Sequence, residues 1–579
     1  MATKKSDTTV QKTAKTTSTS TSTKTAAKPA KTTKTTTAKT VKKAEPVVAE
    51  TVKTVAKKTA TKTTKKVATT KTTKAAKTTT AAAKHATKKT LPKKATSVAV
   101  NNKKKILYVA TECQPFIATG GLADVAGSLP KFVAKVADDV DIRVVLPLYQ
   151  DIAQKYRDNM QFLGYTFVDL NWRHQYCGVF TLKLDGIVYY FIDNEYYYKR
   201  KGTYNYMDDG ERFAFFSKAV LEMTALTGFV PDVLHANDWQ SALSVIYLKT
   251  VYNNDQRYRN TKALFTIHNI EYQGKYGREL LGDVFDLPAH ALNLVEYDGC
   301  INLIKGAIVC SDMFSTVSPS YSQEIKSEEF AKGLHHIIRE NAYKLTGILN
   351  GIDYDFYNPK TDKDLCANYD FATIGDKVKN KLFLQKQLGL QPLQSMPLVA
   401  IISRLVSHKG LDLVKAIAQD ALQQNRIQLV IVGPGDQDYV NYFKWLESKY
   451  PGKVKAVVGK YENVLARQTY AACDIFLMPS KFEPCGLSQM IASRFGAIPI
   501  VRETGGLKDS IRDFGCEGGG NGYTFCNYNA HDLLHNINRA VKDYYDQDKW
   551  KKQQEIVMNV DFSWQKSAKQ YVELYNKLV

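Results

Sequence analysis

The stretch "KKILYVATECQPFIATGGLADVAG", residues 104 to 127, decides the fold of this chain. An apolar run rich in β-branched and aromatic residues predicts a strand, Gly120 and Gly121 mark a turn, and the amphipathic sequence that follows predicts a helix starting near Leu122. Glycines let a backbone approach a ligand closely, and a helix N-terminus offers free N–H groups to an anion. The stretch therefore predicts either a phosphate-binding turn or only a tight connection.

The same strand-turn-helix alternation continues along the chain, which is typical of parallel sheets covered by helices. It gives way to turn residues at "GILNGIDYDFYNPKTDKD" and resumes at "PLVAIISRL". We therefore predict an α/β protein with two doubly wound, Rossmann-like domains facing a central cleft, at residues 105–355 and 356–579.

Residues 1–104 precede the first strand and differ from the rest in composition. Up to residue 105 the chain has 28 Lys, no Arg and 3 acids, whereas the remainder has 52 basic and 54 acidic residues, so this segment carries the whole formal charge of +23. A Lys, Thr and Ala repeat without aromatic residues cannot bury enough apolar surface to fold. We predict a disordered basic tail; contact with a polyanion and a plastid transit peptide are the alternatives.

Two absences in the sequence bear on location. No run of about 18 uncharged apolar residues and no apolar signal core occur, so we expect no membrane insertion. Nine cysteines are scattered from Cys113 to Cys526 without a Cys-x-x-Cys pair, which argues against a zinc site or a disulfide framework. A cytoplasmic location fits both observations.

In doubly wound sheets, ligands bind beyond the carboxyl ends of the strands. Arg404 and Lys409 follow one such strand, and two cations at that spacing suit a diphosphate, although each could be only a solvated charge. Glu483 precedes a helix and could be a cap or an acceptor for sugar hydroxyls. His268 follows an apolar strand and is either a core histidine or a partner for a sugar hydroxyl. Thr504 and Gly505 open a second Gly-Gly turn.

The segments "GGLADV", "NDWQ", "TIHN", "LNGID", "SRL" with "KG", "FEPCGL" and "TGGL" occur together in this order. The chain from about residue 105 to 579 thereby resembles bacterial glycogen synthases and plant starch synthases, retaining glucosyltransferases of the two-domain GT-B type. The resemblance implies an enzyme that transfers glucose from ADP-glucose to the non-reducing end of an α-1,4-glucan. It also implies that the last helix packs back on the first domain. Its partners would be the nucleotide sugar and a glucan primer.

The resemblance also implies roles for single residues. The catalytic set would be His268, Arg404, Lys409 and Glu483, with the two cations neutralising the leaving diphosphate. Asp238 and Trp239 would lie toward the acceptor. The donor would be held by Gly120, Gly121, Asp124, Asn350, Tyr461, Cys485, Gly486, Leu487, Thr504 and Gly505. No cofactor is implied and no metal cluster is found, so fixed cations and helix N-termini would carry the reaction.

One departure from the family motif concerns the opening stretch. The family reads Lys-x-Gly-Gly-Leu, whereas this chain has Ala118 in place of the lysine. We expect weaker donor binding or an altered donor preference. Ala118 and the basic tail also motivate an alternative, a glucan-binding or polyanion-binding scaffold. A phosphorylase would need a pyridoxal phosphate lysine, and Lys508 does not lie in such a setting.

Overall fold

A computed structural model describes residues 103–459 and 462–579 of the chain. The predicted tail, apart from its last two residues, and the predicted donor residue Tyr461 lie outside the described residues. Within the described ranges the strands β1 to β18 are, in chain order, Lys104–Val109, Val140–Pro147, Gln161–Leu170, Arg173–Leu184, Ile187–Asp193, Val233–Asn237, Lys262–Ile267, Lys275–Tyr276, Glu296–Tyr297, Cys300–Asn302, Met313–Thr316, Leu345–Gly347, Leu398–Ile402, Gln428–Gly433, Val454–Val458, Ile475–Met478, Ile498–Arg502 and Tyr523–Phe525.

The α-helices of the same ranges connect these strands. Helices α1 to α20 are, in chain order, Gly121–Val136, Gln154–Arg157, Glu195–Tyr198, Asp209–Glu222, Thr224–Thr227, Trp239–Lys249, Leu280–Asp283, Leu292–Val295, Leu303–Cys310, Pro319–Glu324, His335–Glu340, Lys377–Gln387, Leu411–Gln424, Gln437–Lys449, Asn463–Ala472, Ser488–Arg494, Gly505–Ser510, Ala530–Tyr545, Gln547–Asn559 and Trp564–Leu578.

Two large sheets organise the fold. The first has nine strands in the order β12-β11-β7-β6-β1-β2-β5-β4-β3, and the second has six strands in the order β15-β14-β13-β16-β17-β18. The second sheet is parallel throughout, with β13 paired to β14 and β16. The central strands β13 and β14 are buried along their whole length, and β1 is buried from Ile106 to Val109, as expected when helices cover both faces of a sheet. The predicted fold class, two doubly wound α/β sheets, is confirmed.

One edge of the first sheet differs from the expected parallel alternation. Strands β3, β4 and β5 pair antiparallel, and β5 then pairs parallel with β2. The turn between β4 and β5 is Asp185-Gly186, with both residues at positive φ. Asp-Gly is a typical two-residue hairpin turn because both of its residues tolerate that conformation. The sequence thus contained a local signal for this hairpin.

The end of the chain returns to the first sheet. Helix α20 packs against α1. The Tyr575 hydroxyl lies 2.9 Å from Nδ1 of the buried His235 on β6. Ile352 and Ser563, the residue before α20, form a parallel bridge. Residues that follow the second sheet in sequence therefore stabilise the first, while the predicted division near residue 355 stays a prediction.

Candidate active site

The first Gly-Gly turn lies between β1 and α1 and is held by a buried carboxylate. Glu112, three residues beyond the end of β1, accepts hydrogen bonds from the backbone N–H groups of Thr119 (2.5 Å) and Gly120 (2.8 Å). Burial raises the pKa of Glu112, and the two amides and the charge of Arg404 act in the opposite direction. Arg404 follows β13, so this electrostatic interaction links the loops of the two sheets.

Gly121 begins α1, one residue before the predicted start. A Cβ added at Gly121 would meet no atom within 4 Å, and Gly120 would meet only Glu112 Oε1 at 3.7 Å. Protein packing therefore does not require glycine at these positions, and the space beside the turn is open to a ligand. Asp124 lies in the first turn of α1, where burial and the nearby Glu112 and Asp353 raise its pKa to about 7.

His268 lies at the end of β7 and is neutral at physiological pH, since burial lowers its pKa to about 3. Its Nε2 is 2.9 Å from Oδ1 of Asn237, whose Nδ2 donates to the carbonyl oxygen of Val109 at 3.0 Å. Because the amide orientation is fixed in this way, we assign the proton to Nε2, which leaves Nδ1 as an acceptor. A neutral imidazole of this kind can accept a hydrogen bond from a sugar hydroxyl.

Asp238 precedes α6 and adopts a left-handed backbone conformation with φ of 57°. Its Oδ1 accepts a hydrogen bond from the backbone N–H of His268 at 2.8 Å, and burial raises its pKa to about 7. Trp239, the next residue, packs edge-on against Phe213 with ring centroids 5.4 Å apart. Asp238 thus connects the end of β6 to His268.

Lys409 and Glu483 form an ion pair beyond the carboxyl ends of β13 and β16. The Lys409 Nζ to Glu483 Oε2 distance is 2.6 Å, and the side chains are 17% and 8% exposed. The Ser480 hydroxyl donates to the same carboxylate oxygen at 3.0 Å. Arg404, in contrast, is exposed. Helix α16 begins only at Ser488, so Glu483 does not cap it.

Asn350 lies close to Cys485, which follows β16 of the second sheet two residues after Glu483. Asn350 follows β12 of the first sheet, and its backbone and side-chain N–H groups act to lower the pKa of the Cys485 thiol. Burial nevertheless raises the pKa of that thiol to about 12, so it stays protonated. Gly486, at φ of 70°, and Leu487 connect Cys485 to α16.

The second Gly-Gly turn differs from the first. Glu324 is the last residue of α10, the helix that follows β11 of the first sheet. It accepts hydrogen bonds from the Gly505 N–H (2.7 Å) and the Thr504 hydroxyl (3.0 Å). A Cβ at Gly505 would lie 2.1 Å from the carbonyl oxygen of Glu483, and one at Gly506 would lie 2.2 Å from that of Cys485. Here packing itself requires glycine, and both hydrogen-bond donors already have a protein partner.

Three contacts were not predicted from the sequence: the Glu112 carboxylate on the first turn, the Glu324 carboxylate on the second, and Ser480 on Glu483. Glu112 is the last residue of the run "KKILYVATE" that predicts the first strand, so the strand-end rule could have selected it. Glu324 lies at the end of a short helix, where the sequence has no such signal.

Two features are absent from the described residues 103–459 and 462–579. In these ranges no group of three or more His, Cys, Asp or Glu is placed to hold a metal ion, and no helix has the length and apolarity needed to span a bilayer. All nine cysteines lie in the described part and are free.

Family models match both halves of the chain. Residues 105–340 match the model described as starch synthase catalytic domain, and residues 390–557 match that of glycosyl transferases group 1. A glycogen synthase of Clostridium botulinum is 48% identical over 478 residues, which cover 82% of this chain and 99% of the relative. A glycogen synthase of Bacillus cereus is 45% identical over 82% of this chain and 99% of its own length.

Solved structures with the same fold include two glycosyltransferases. The catalytic domain of starch synthase IV from Arabidopsis thaliana, solved with ADP and acarbose, has a TM-score of 0.77 and 34% identity, and the match covers 82% of this chain and 99% of that one. Sucrose-phosphate synthase from Thermosynechococcus elongatus, at a TM-score of 0.52 and 17% identity, shares the fold alone.

Proposed function

The chain belongs to the family of glycogen and starch synthases, and we propose that it transfers glucose from ADP-glucose to the non-reducing end of an α-1,4-glucan with retention of configuration. The ADP bound by the starch synthase IV domain supports an adenine nucleotide as carrier of the sugar. The glycogen synthase relatives support a glucan acceptor.

The observation that carries the proposal is where the cations lie. Arg404 and the ion-paired Lys409 follow β13 of the second sheet, and Arg404 lies within electrostatic reach of Glu112, which holds the Gly120 turn of the first sheet. A diphosphate bound beside the open face of Gly121 would face the positive end of α1 and these cations together. This arrangement suits a nucleoside diphosphate leaving group.

Breaking a glycosyl-phosphate bond places negative charge on the leaving oxygen and positive charge on the anomeric carbon. Arg404 and Lys409 would stabilise the first charge, and fixed cations stabilise a transition state without reorganising. Lys409 forms an ion pair with Glu483, so donor binding would divide its hydrogen bonds between phosphate and carboxylate. Glu483 and the neutral His268 would hold glucose hydroxyls, and these cations support a reaction without a metal.

Asp238 and Trp239 would lie on the acceptor side, next to His268. The hydrogen bond from the His268 amide to Asp238 means that any shift of one residue moves the other. The residues that would contact the acceptor and the donor sugar are therefore joined by this hydrogen bond. The cytoplasmic location and the polyanion contact of residues 1–104 stay predictions.

The test is glucose incorporation by the purified full-length protein. It is incubated with glycogen and labelled ADP-glucose or UDP-glucose in the presence of EDTA, and label in precipitated polymer is counted. We expect incorporation that prefers ADP-glucose, is undiminished by EDTA, and is released by an enzyme that cleaves α-1,4 linkages.

Variants locate the activity in the cleft. Arg404→Ala should lose most of the incorporation, whereas Lys444→Ala, which removes an exposed cation on α14, should retain it. If wild type incorporates nothing from either donor and still binds glycogen, the enzyme assignment fails and a glucan-binding scaffold takes its place. Loss of activity in EDTA that Mg²⁺ restores would overturn the metal-free mechanism.

A further inference from the structure

Helix α10, which follows β11 of the first sheet, contacts helix α17, which follows β17 of the second sheet, through several hydrogen bonds. Asp509 on α17 accepts from the backbone N–H of Ser320 (2.7 Å) and from its hydroxyl (2.6 Å). At the other end of α10, Glu324 accepts from Gly505 and Thr504 as described above. The two helices are therefore joined at two separate points.

The second point of contact leads directly to the loop that carries Glu483. The Gly506 N–H, one residue into α17, donates to the carbonyl oxygens of Glu483 and Pro484, at 3.2 Å each. The close approach of Gly505 to the Glu483 carbonyl leaves no room for a side chain between α17 and this loop. Any displacement of the amino end of α17 must therefore move the backbone of Glu483.

Glu324, the last residue of α10, accepts hydrogen bonds from this amino end. Burial raises the pKa of its carboxyl group, against the effect of the bonds from Gly505 and Thr504. Its Oε2 atom is buried and has no hydrogen-bond partner among the residues that the structure describes. An unpartnered buried oxygen costs free energy, and the hydrogen bonds that Oε1 accepts from Gly505 and Thr504 act against that cost.

We propose that Glu324 is a positioning residue for the transfer reaction: from the first sheet it fixes the amino end of α17, and through α17 it sets the position of Glu483. The proposal rests on the synthase activity proposed above. Glu324 touches neither sugar nor phosphate in this role. Its effect is to couple the first sheet to the carboxylate that would hold the glucose.

The experiment compares Glu324→Ala, Glu324→Gln and Ser320→Ala in the full-length protein. Glu324→Gln keeps an oxygen that can accept from Gly505, and Ser320→Ala removes a bond of the same helix that does not lead to Glu483. We expect Glu324→Ala to lower kcat by about 10²-fold with little change in the KM for ADP-glucose, because a misplacement of about 1 Å costs that much. The two other variants should stay within about threefold of wild type, as both leave the Gly505 contact in place.

The readouts separate positioning from a structural role. A purely structural role would lower melting temperature and soluble yield while the folded fraction kept its kcat, and that result would overturn the proposal. Equal losses in Glu324→Ala and Glu324→Gln, or a rise in donor KM at constant kcat, would also overturn it. If Glu324→Ala does not fold, Glu324→Asp is used in its place. Its shorter side chain withdraws the acceptor oxygen from the Gly505 N–H, and we expect the same fall in kcat. An inactive wild type would refute the proposed function instead.

Discussion

The ion pair between Lys409 and Glu483 leads to a prediction in which the effect of mutations on stability can be distinguished from their effect on activity. Lys409→Ala removes the cation and leaves a carboxylate that is only 8% exposed, with Ser480 as its remaining partner. Removing one partner of a buried ion pair costs about 3 to 5 kcal/mol. Since Lys409 is partly exposed and Ser480 remains, we expect the lower end, about 3 kcal/mol, or a melting temperature lower by several degrees.

The second variant is Lys409→Ala combined with Glu483→Gln. The neutral amide no longer leaves a buried charge unpaired, so the double variant should recover about 1 to 2 kcal/mol relative to the sum of the single changes. Activity should not recover. Loss of a charge-assisted hydrogen bond to the leaving diphosphate is worth about 1.5 to 3 kcal/mol, a fall in kcat/KM of about tenfold to 10²-fold.

The assay combines melting temperatures of the four proteins in the double-mutant cycle with initial rates of glucose incorporation from ADP-glucose. Strictly additive melting shifts would show that Lys409 and Glu483 do not interact in solution. A destabilised Lys409→Ala that keeps full kcat/KM would refute the reasoning differently, because Lys409 would then be only a structural partner of Glu483.

Three further predictions follow from the two Gly-Gly turns. Ala118 is exposed, so Ala118→Lys should fit and lower the KM for ADP-glucose by up to about tenfold through a new charge-assisted bond; unchanged donor kinetics would contradict this. Gly506→Ala should lower both melting temperature and kcat, since its Cβ would lie 2.2 Å from the carbonyl oxygen of Cys485, whereas Gly121→Ala should melt like wild type. The raised pKa of Asp124, about 7, means that the folded state binds its proton more tightly, so this group's contribution to stability falls as pH rises toward and through 7. Because this loss begins near the unfolded-state pKa of about 4, Asp124→Asn should melt at a higher temperature than wild type at pH 8, and the difference should shrink steadily as the pH falls toward 4.

The sequence predicted the parallel cores well because buried parallel strands are short, nearly continuous apolar runs bounded by turn residues. The strands "LVAII" and "QLVIVG" illustrate this pattern, and both occur as predicted in the second sheet. The antiparallel edge of the first sheet was missed because β3 and β4 have one exposed face, and their mixed composition lacks such a run.

By itself, the sequence of this protein determined the fold class, the family and the candidate residues at the strand ends, because each depends on local runs and motifs within a few residues. Only the tertiary structure decided what those residues contact. The two Gly-Gly turns are alike in sequence, but Gly121 faces open space while Gly505 and Gly506 pack against the backbone of the Glu483 loop. Glu112 and Glu324 lie 8 and 181 residues from the glycine amides that they bond. The hydrogen bond that Glu324 accepts from Gly505 requires both sheets to be in place. No local sequence pattern encodes a contact between residues so far apart in the chain.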